Sequence, residues 1–349
     1  FFESDGHMKS TLSYDDVLLV PQYSDIRSRT EVSLETDLKN GLTLSSPILS
    51  SPMDTVSEGP MATALGRFGG AAIVHRYNTI QEQCSIVQYS IETSGPGINI
   101  GAAVGISDDF LLRSKMLVDS GATFICIDVA HGHHILMKEA LTQLRKEVGP
   151  SYHIMAGNVA TLQGVDDLAD WGADSVRCNI GGGSICSTRV QTGHGMPGLQ
   201  TIFECAKTDR DVAIIADGGL KNSGDMVKAI AAGADAVMCG SLFSGTDESP
   251  GKIIEETNGT RWKMYRGMAS KEAQLNWRGR YSSHEGVSAR VPYRGSVNKI
   301  LEDIERGLRS GLSYSGARNI VELQSKAEFV VQTSAGLGES KTHILNRAW

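Results

Sequence analysis

The segment Asn179-Ile-Gly-Gly-Gly-Ser-Ile-Cys-Ser-Thr-Arg189 gathers the residue types that covalent chemistry needs. Three consecutive glycines, Gly181–Gly183, let the backbone turn tightly and come close to a ligand. Ser184 adds a hydroxyl and backbone N–H groups suited to an anion. Cys186 follows in the same loop, where positive local potential would favour its thiolate and make it a nucleophile. A cysteine taken at random is more often a small buried hydrophobe. Here the glycines and the flanking Ser187 and Thr188 favour the nucleophile. Asp217-Gly218-Gly219 and Gly240-Ser241 read either as ordinary turns or as loops whose N–H groups hold phosphate beside a carboxylate for ribose hydroxyls. Their joint occurrence favours phosphate. His131, His133 and His134 invite a metal, yet no carboxylate or cysteine stands at ligand spacing beside them, so a structural or cofactor-contact role is expected. Arg280-Tyr281, with His284 and Glu285 behind it, has the composition of a solvated charge cluster. On a lid over a thiolate it would supply a proton relay.

These residues need a scaffold, and the hydrophobic pattern supplies one. Apolar β-rich runs occur at Pro47–Met53, Gly70–His75, Ile98–Gly105, Phe124–Ala130, Tyr152–Val159, Ser175–Ile180, Val212–Gly219 and Ala236–Ser241. Helical periodicity lies between them at Asp109–Ser120, His134–Glu147, Gly164–Trp171, Gly198–Lys207 and Ser223–Ala232. Gly172-Ala173 and Gly233-Ala234 end two of these helices in the manner of a glycine stop. Strands this apolar, alternating with helices, predict a parallel sheet buried on both faces, and eight units predict a closed (β/α)8 barrel. Asp54, His75, Asp128, Asn158, Gly181–Gly183, Asp217–Gly219 and Gly240-Ser241 all fall at the C-terminal ends of the runs, the active face of such a barrel. Residues 242–300 are Gly-rich, charged and weakly periodic, and read as a lid excursion after strand eight. Lys299–Leu308 and Ala317–Phe329 read as closing helices, and 330–349 as a polar tail. No internal repeat or low-complexity linker stands out.

Composition narrows the functional classes. The chain has 349 residues, 40% of them hydrophobic, and no apolar run near the roughly 18 residues of a membrane span. Dispersed basic residues and a net charge of −7 argue against a nucleic-acid surface. Six cysteines without a CxxC pair, and no secretory h-region at the front, predict reduced thiols in the cytoplasm. Neither a GxGxxG after a strand nor a Walker lysine motif is present, so a Rossmann or P-loop site has no support. Residues 1–8 resemble an expression remnant, which leaves 9–349 as one catalytic domain.

With these residues in view, the chain resembles the inosine monophosphate dehydrogenase and GMP reductase family from Leu12 to about His343. The resemblance rests on Tyr14-Asp-Asp-Val-Leu-Leu-Val-Pro21, Ser51-Pro-Met-Asp-Thr-Val56, Asp128-Val-Ala-His-Gly132, Ala156-Gly-Asn-Val159, Gly183-Ser-Ile-Cys-Ser-Thr-Arg189, Ala216-Asp-Gly-Gly219, Gly240-Ser241 and Tyr265-Arg-Gly-Met268. It implies a (β/α)8 barrel, a homotetramer, and Cys186 as the nucleophile at purine C2. Ser184, Gly219, Gly240, Ser241 and Tyr265 match the holders of the 5′-phosphate, and Asp217 matches the ribose ligand. Ser51, Met53, Gly267, Met268 and Glu285 match the rest of the nucleotide site. Asp128, Val129, Ala130 and Gly181 match the cofactor side, Asp128 at the nicotinamide ribose. Thr188 and Glu285 match the pair that moves protons. A monovalent cation, K+, is implied at Gly181, Gly183 and Cys186 with Glu339 and Ser340 of a neighbouring subunit's tail. Lys341 stands there where histidine is common, and its ammonium is expected to substitute in part for the cation.

The resemblance implies one of two activities. A dehydrogenase oxidises IMP to XMP with NAD+ through a thioimidate and then hydrolyses it. A reductase converts GMP to IMP and ammonia with NADPH. Arg280-Tyr281 resembles the dehydrogenase's water-activating dyad, and Tyr14–Pro21, Tyr265–Met268 and Ala335–Ser340 are dehydrogenase-like. The short stretch from Met268 to Glu285 and the absence of a regulatory CBS pair after strand two lean towards the reductase, whereas Arg76-Tyr77, where a lysine often follows the histidine, counts against a reductase proton donor there. The dehydrogenase is the favoured reading. A silent purine-nucleotide-binding barrel is the third, and the presence of Cys186, Thr188, Asp217 and Glu285 together argues against it.

Overall fold

The structure, a computed structural model, describes residues 10–106, 109–282 and 284–340. The expected remnant at 1–8 and Lys341 lie outside the described residues. Eight parallel strands close into a barrel: β1 (Ile48–Ser50), β2 (Ala71–Val74), β3 (Asn99–Val104), β4 (Phe124–Asp128), β5 (His153–Val159), β6 (Ser175–Cys178), β7 (Ala213–Asp217) and β8 (Ala236–Cys239). Every expected strand is present in chain order. Closure comes from β8 on β1, with Val237 opposite Ile48 and Cys239 opposite Ser50.

Alternation along each strand divides the core in two. Phe124 and Cys126 of β4, Met155 of β5, Ile215 of β7 and Met238 of β8 fill the barrel interior. Ile125 and Ile127, their neighbours, face the helices instead. The N-terminal mouth is plugged by Leu38, Leu42 and Leu44 from the small hairpin of Thr36–Asp37 and Thr43–Leu44. This leaves only the C-terminal mouth open for chemistry.

Gly172 and Gly233 do end helices with left-handed backbone, at φ +113 and +114. Each is followed by Ala-Asp, and the two aspartates do the same job. Asp174 accepts the Ile154 N–H and Asp235 the Ile214 N–H, both at 2.7 Å. Asp174 is also paired with Arg145. Asp235 instead has its carboxyl pushed up to about 6 by burial, with the Ile214 N–H and Lys39 pulling the other way. Between about pH 4 and 6 the unfolded chain ionises this group while the folded one keeps its proton. Stability therefore falls as pH rises through that window, and about 3 kcal/mol is lost above it. Asp235→Asn keeps an acceptor for Ile214 and is expected to remove this slope, matching wild type near pH 4 and exceeding it at pH 7. Urea unfolding across that range checks it, and an unchanged slope refutes it.

Two expectations need correction. The last closing helix stops at Lys326, and Phe329–Val331 is a strand paired antiparallel with Val17–Leu19. The run Ala-Glu-Phe-Val-Val is β-branched and aromatic, and the N-terminal strand supplies its partner. Residues 242–300 are also more regular than their weak periodicity suggested. They hold an antiparallel sheet of β9 (Ile254–Glu255), β10 (Arg261–Arg266) and β11 (Ser288–Pro292), with the helix Lys271–Arg278 between the last two. Among the described residues no helix is long and apolar enough to cross a membrane.

Candidate active site

A cavity of about 460 Å³ opens at the C-terminal mouth of the barrel. It is lined by Cys186, Thr188 and Glu285 and by every residue expected to hold the nucleotide or the cofactor. Arg280 and Tyr281 are not on its wall. Tyr281 is 43% exposed and packs against His284 and Lys271 instead. Glu339 and Ser340 are also elsewhere. They end the helix Ser334–Glu339, where Ser340 bonds Gln332, itself anchored to the carbonyls of Asp15 and Asp16.

Cys186 is the only exposed cysteine of the six. Its thiol donates to Thr188 Oγ1 at 3.2 Å, and the Thr188 hydroxyl donates to Glu285 Oε2 at 2.8 Å. These three side chains form one proton path from sulfur to carboxylate. Backbone bonds hold it in register across the gap between positions 188 and 285. Ser187 N–H donates to the Glu285 carbonyl and Val287 N–H to that of Ile185, each at 3.0 Å. The lid's return segment is thereby laced to the cysteine loop.

Two carboxylates at the barrel mouth, Asp128 and Asp217, are held by a residue absent from the expected site. Arg177 of β6 is 5% exposed and spans two aspartates at the barrel mouth. Its Nη1 donates to Asp128 Oδ1 at 2.5 Å, while Nε and Nη2 donate to Asp217 Oδ2 at 3.0 and 2.7 Å. Asn158 Nδ2 donates to the same Asp217 oxygen at 2.7 Å. Burial opposes the guanidinium charge, but Asp217 and Asp128 outweigh it and hold the group firmly protonated. Asp217 Oδ2 is consumed by these three bonds, which leaves Oδ1 for a sugar hydroxyl. An arginine inside an apolar strand such as Ser-Val-Arg-Cys was a signal in itself, since a buried guanidinium must find carboxylates.

The remaining walls come from the lid. Tyr265 of β10 reaches Ser184 with its hydroxyl, and burial pushes that group up to about 12 while Ser184 lowers it. A Cβ on Gly240 would lie 2.9 Å from this hydroxyl and 3.0 Å from Met53 Sδ, so only glycine allows the close approach. Arg266 clamps Asp54 through Nη2 at 2.5 Å and Nε at 3.0 Å, and Asp54 N–H meets Met268 Sδ at 3.3 Å. Trp277 of the lid helix stacks on Tyr77, 4.2 Å between centroids and 10° from parallel. Arg76 approaches Asp128 Oδ2 at 3.9 Å, and its buried Nε has no hydrogen-bond partner. A carboxylate and an unsatisfied donor side by side suit a sugar hydroxyl and an anionic group, so the Asp128 end fits a dinucleotide. No spacing rule in the sequence pointed to Trp277 or Arg76 as neighbours.

The histidine cluster has structural work. His133 Nε2 bonds Asp167 at 2.7 Å, and His134 caps the helix Ile135–Val148 by accepting the Leu136 N–H. Burial, with the neighbouring histidines, lowers the pKa of His131.

Fold and site together define a (β/α)8 barrel whose open mouth carries an exposed cysteine hydrogen-bonded through a threonine to a glutamate, beside two aspartates joined by a buried arginine. Residues 11–343 match the IMP dehydrogenase / GMP reductase domain. The chain is 35% identical to the inosine-5′-monophosphate dehydrogenase of Nitrosopumilus maritimus, covering 96% of this chain and 98% of that protein. That alignment runs over 472 positions, more than the 349 residues here, so the relative carries long internal insertions. The GMP reductase of Leishmania major is 30% identical, over 96% of this chain and 97% of its own. The crystal structure of a Trypanosoma brucei GMP reductase variant in complex with guanosine 5′-monophosphate superposes with a TM-score of 0.91 at 30% identity, covering 98% and 99% of the two chains. The protein belongs to the IMP dehydrogenase / GMP reductase family and is an oxidoreductase.

Proposed function

We propose that the chain is an IMP dehydrogenase, oxidising IMP to XMP with NAD+. The observation that carries the reading is the continuous path Cys186–Thr188–Glu285 on the wall of the nucleotide-sized cavity. The higher identity to dehydrogenases than to the Leishmania reductase supports this direction. Cys186 loses its proton through Thr188 to Glu285, and the thiolate adds to C2 of the purine. Asp128, Val129, Ala130 and Gly181 would hold a nicotinamide dinucleotide, which would supply the hydride acceptor. Departure of hydride from C2 leaves a thioimidate on Cys186. Water then adds to C2, gives up its proton, and the C–S bond breaks to release XMP and the thiol. Glu285, once it has passed the cysteine proton to solvent, is the base that takes the water's proton through Thr188 and returns it to the departing sulfur. Arg280 and Tyr281, expected as the water-activating dyad, stand off the cavity wall, so the role falls to Glu285.

Asp217 orients the ribose of the substrate, and Ser184, Gly219, Gly240, Ser241 and Tyr265 surround its 5′-phosphate. Ser51, Met53, Gly267 and Met268 line the part of the cavity left for the base. The carbonyls of Gly181, Gly183 and Cys186 offer hard oxygen donors for K+, with Glu339-Ser340 arriving from a second subunit of a tetramer.

A GMP reductase reading is favoured by one specific feature, the placing of Arg280-Tyr281 outside the cavity while Thr188–Glu285 stays inside. In that direction the same pair would protonate departing ammonia. Nicotinamide absorbance followed in parallel with IMP plus NAD+ and with GMP plus NADPH separates the two. Growth of NADH with IMP is expected; loss of NADPH with GMP alone would assign the reductase. In whichever mixture turns over, Glu285→Gln is expected to lower kcat by about 100-fold or more with little change in KM. A kcat near wild type would remove Glu285 from the chemistry.

A further inference from the structure

We propose that Lys263 is a positioning residue for the nucleotide's 5′-phosphate, an assignment that rests on reading Gly240-Ser241 as the phosphate loop. Lys263 and Tyr265 stand two residues apart on β10, so strand alternation turns both to its buried face. Lys263 is 3% exposed, and its Nζ donates to the carbonyls of Thr246 at 2.8 Å and Ser249 at 2.6 Å. Tyr265 reaches the start of the same segment, at Gly240, and bonds Ser184. One strand face therefore grips residues 240–249 at both ends, by a phenol at the cavity and an ammonium behind it.

The carbonyls between these grips are also held. Ser244 Oγ donates to the Ser241 carbonyl and Thr246 Oγ1 to that of Phe243, both at 2.8 Å. Arg294 Nη1 donates to the carbonyls of Ser241 and Leu242 at 3.3 and 3.1 Å. The N–H and C=O of one peptide unit point in opposite directions. The Phe243 and Ser244 N–H groups close a turn on the Gly240 carbonyl, both at 3.1 Å, and fixing the Ser241 carbonyl on the Arg294 side turns the Leu242 N–H the other way, as an anion requires. A desolvated ammonium is costly to keep, and three donors on one head group can hold several carbonyls at once.

The test uses the full chain and measures protection of Cys186 from iodoacetamide by IMP and by inosine, which lacks the phosphate. Wild type is expected to be half-protected at a far lower concentration of IMP than of inosine. In Lys263→Met the IMP concentration is expected to rise about tenfold or more, with inosine protection unchanged and kcat at saturating IMP within about threefold. Arg294→Met shifts IMP protection the same way by a smaller factor. A folded Lys263→Met that separates IMP from inosine as wild type does overturns the assignment. So does an equal loss of protection by both ligands, which marks a general structural role. If inosine protects wild type as well as IMP does, the phosphate-loop reading itself falls, and this assignment with it. Should Lys263→Met not fold, unchanged IMP protection in Arg294→Met overturns the proposal.

Discussion

Cys186→Ala is expected to lose turnover by about 10⁴-fold or more while still binding nucleotide. In the proposed mechanism the thiol bonds purine C2, and its hydrogen bonds already lead through Thr188 to Glu285. Without sulfur that path begins nowhere, and hydride has to leave a C2 that no electron pair assists. Binding survives because most of the proposed grips on phosphate and ribose, at Asp217, Gly219, Gly240, Ser241 and Tyr265, lie outside the cysteine loop. The cysteine is exposed, so its loss leaves no buried cavity. Calorimetric titration with IMP, turnover by nicotinamide absorbance and intact mass during turnover are the three readings. Wild type should gain the mass of a nucleotide adduct and the alanine variant none. Turnover near wild type in the alanine variant would end the covalent mechanism.

The second large effect is expected at Arg177. Its guanidinium side chain is 6% exposed, and it separates the carboxylates of Asp128 and Asp217, themselves 18% and 9% exposed. In Arg177→Met two like charges face one another with little solvent between them. Removing one partner of a buried ion pair typically costs about 3–5 kcal/mol. Urea unfolding of the variant beside wild type at pH 7 reads the loss. A stability equal to wild type at pH 7 would mean that the triad is not a coupled unit. Because Asp128 and Asp217 both line the cavity and are proposed to hold the two riboses, KM for nucleotide and for dinucleotide should rise together.

Much of this architecture was legible in the residues. Runs such as Phe124–Ala130 and Val212–Gly219 are apolar on both faces, as only a covered parallel strand can be, and all eight strands follow from that local pattern. Cys186, Asp217 and Gly240 announced themselves because strand ends and glycines limit where a ligand can approach. The lid sheet was not legible, since β10 and β11 pair across 21 intervening residues and their alternation is mostly polar. Arg177 meets Asp128 and Asp217 across 49 and 40 positions, and only the neighbouring of β4, β5, β6 and β7 in a closed barrel makes them touch. The relative standing of Glu285 and Arg280, five residues apart, was decided the same way. Backbone bonds from 285 and 287 to the cysteine loop carry one carboxylate to Thr188, while Arg280 stays off the cavity wall. Local sequence sets the period and polarity of each element, because those depend on neighbours a few residues away. Which charges meet depends on chain closure, and that is a property of the folded barrel alone.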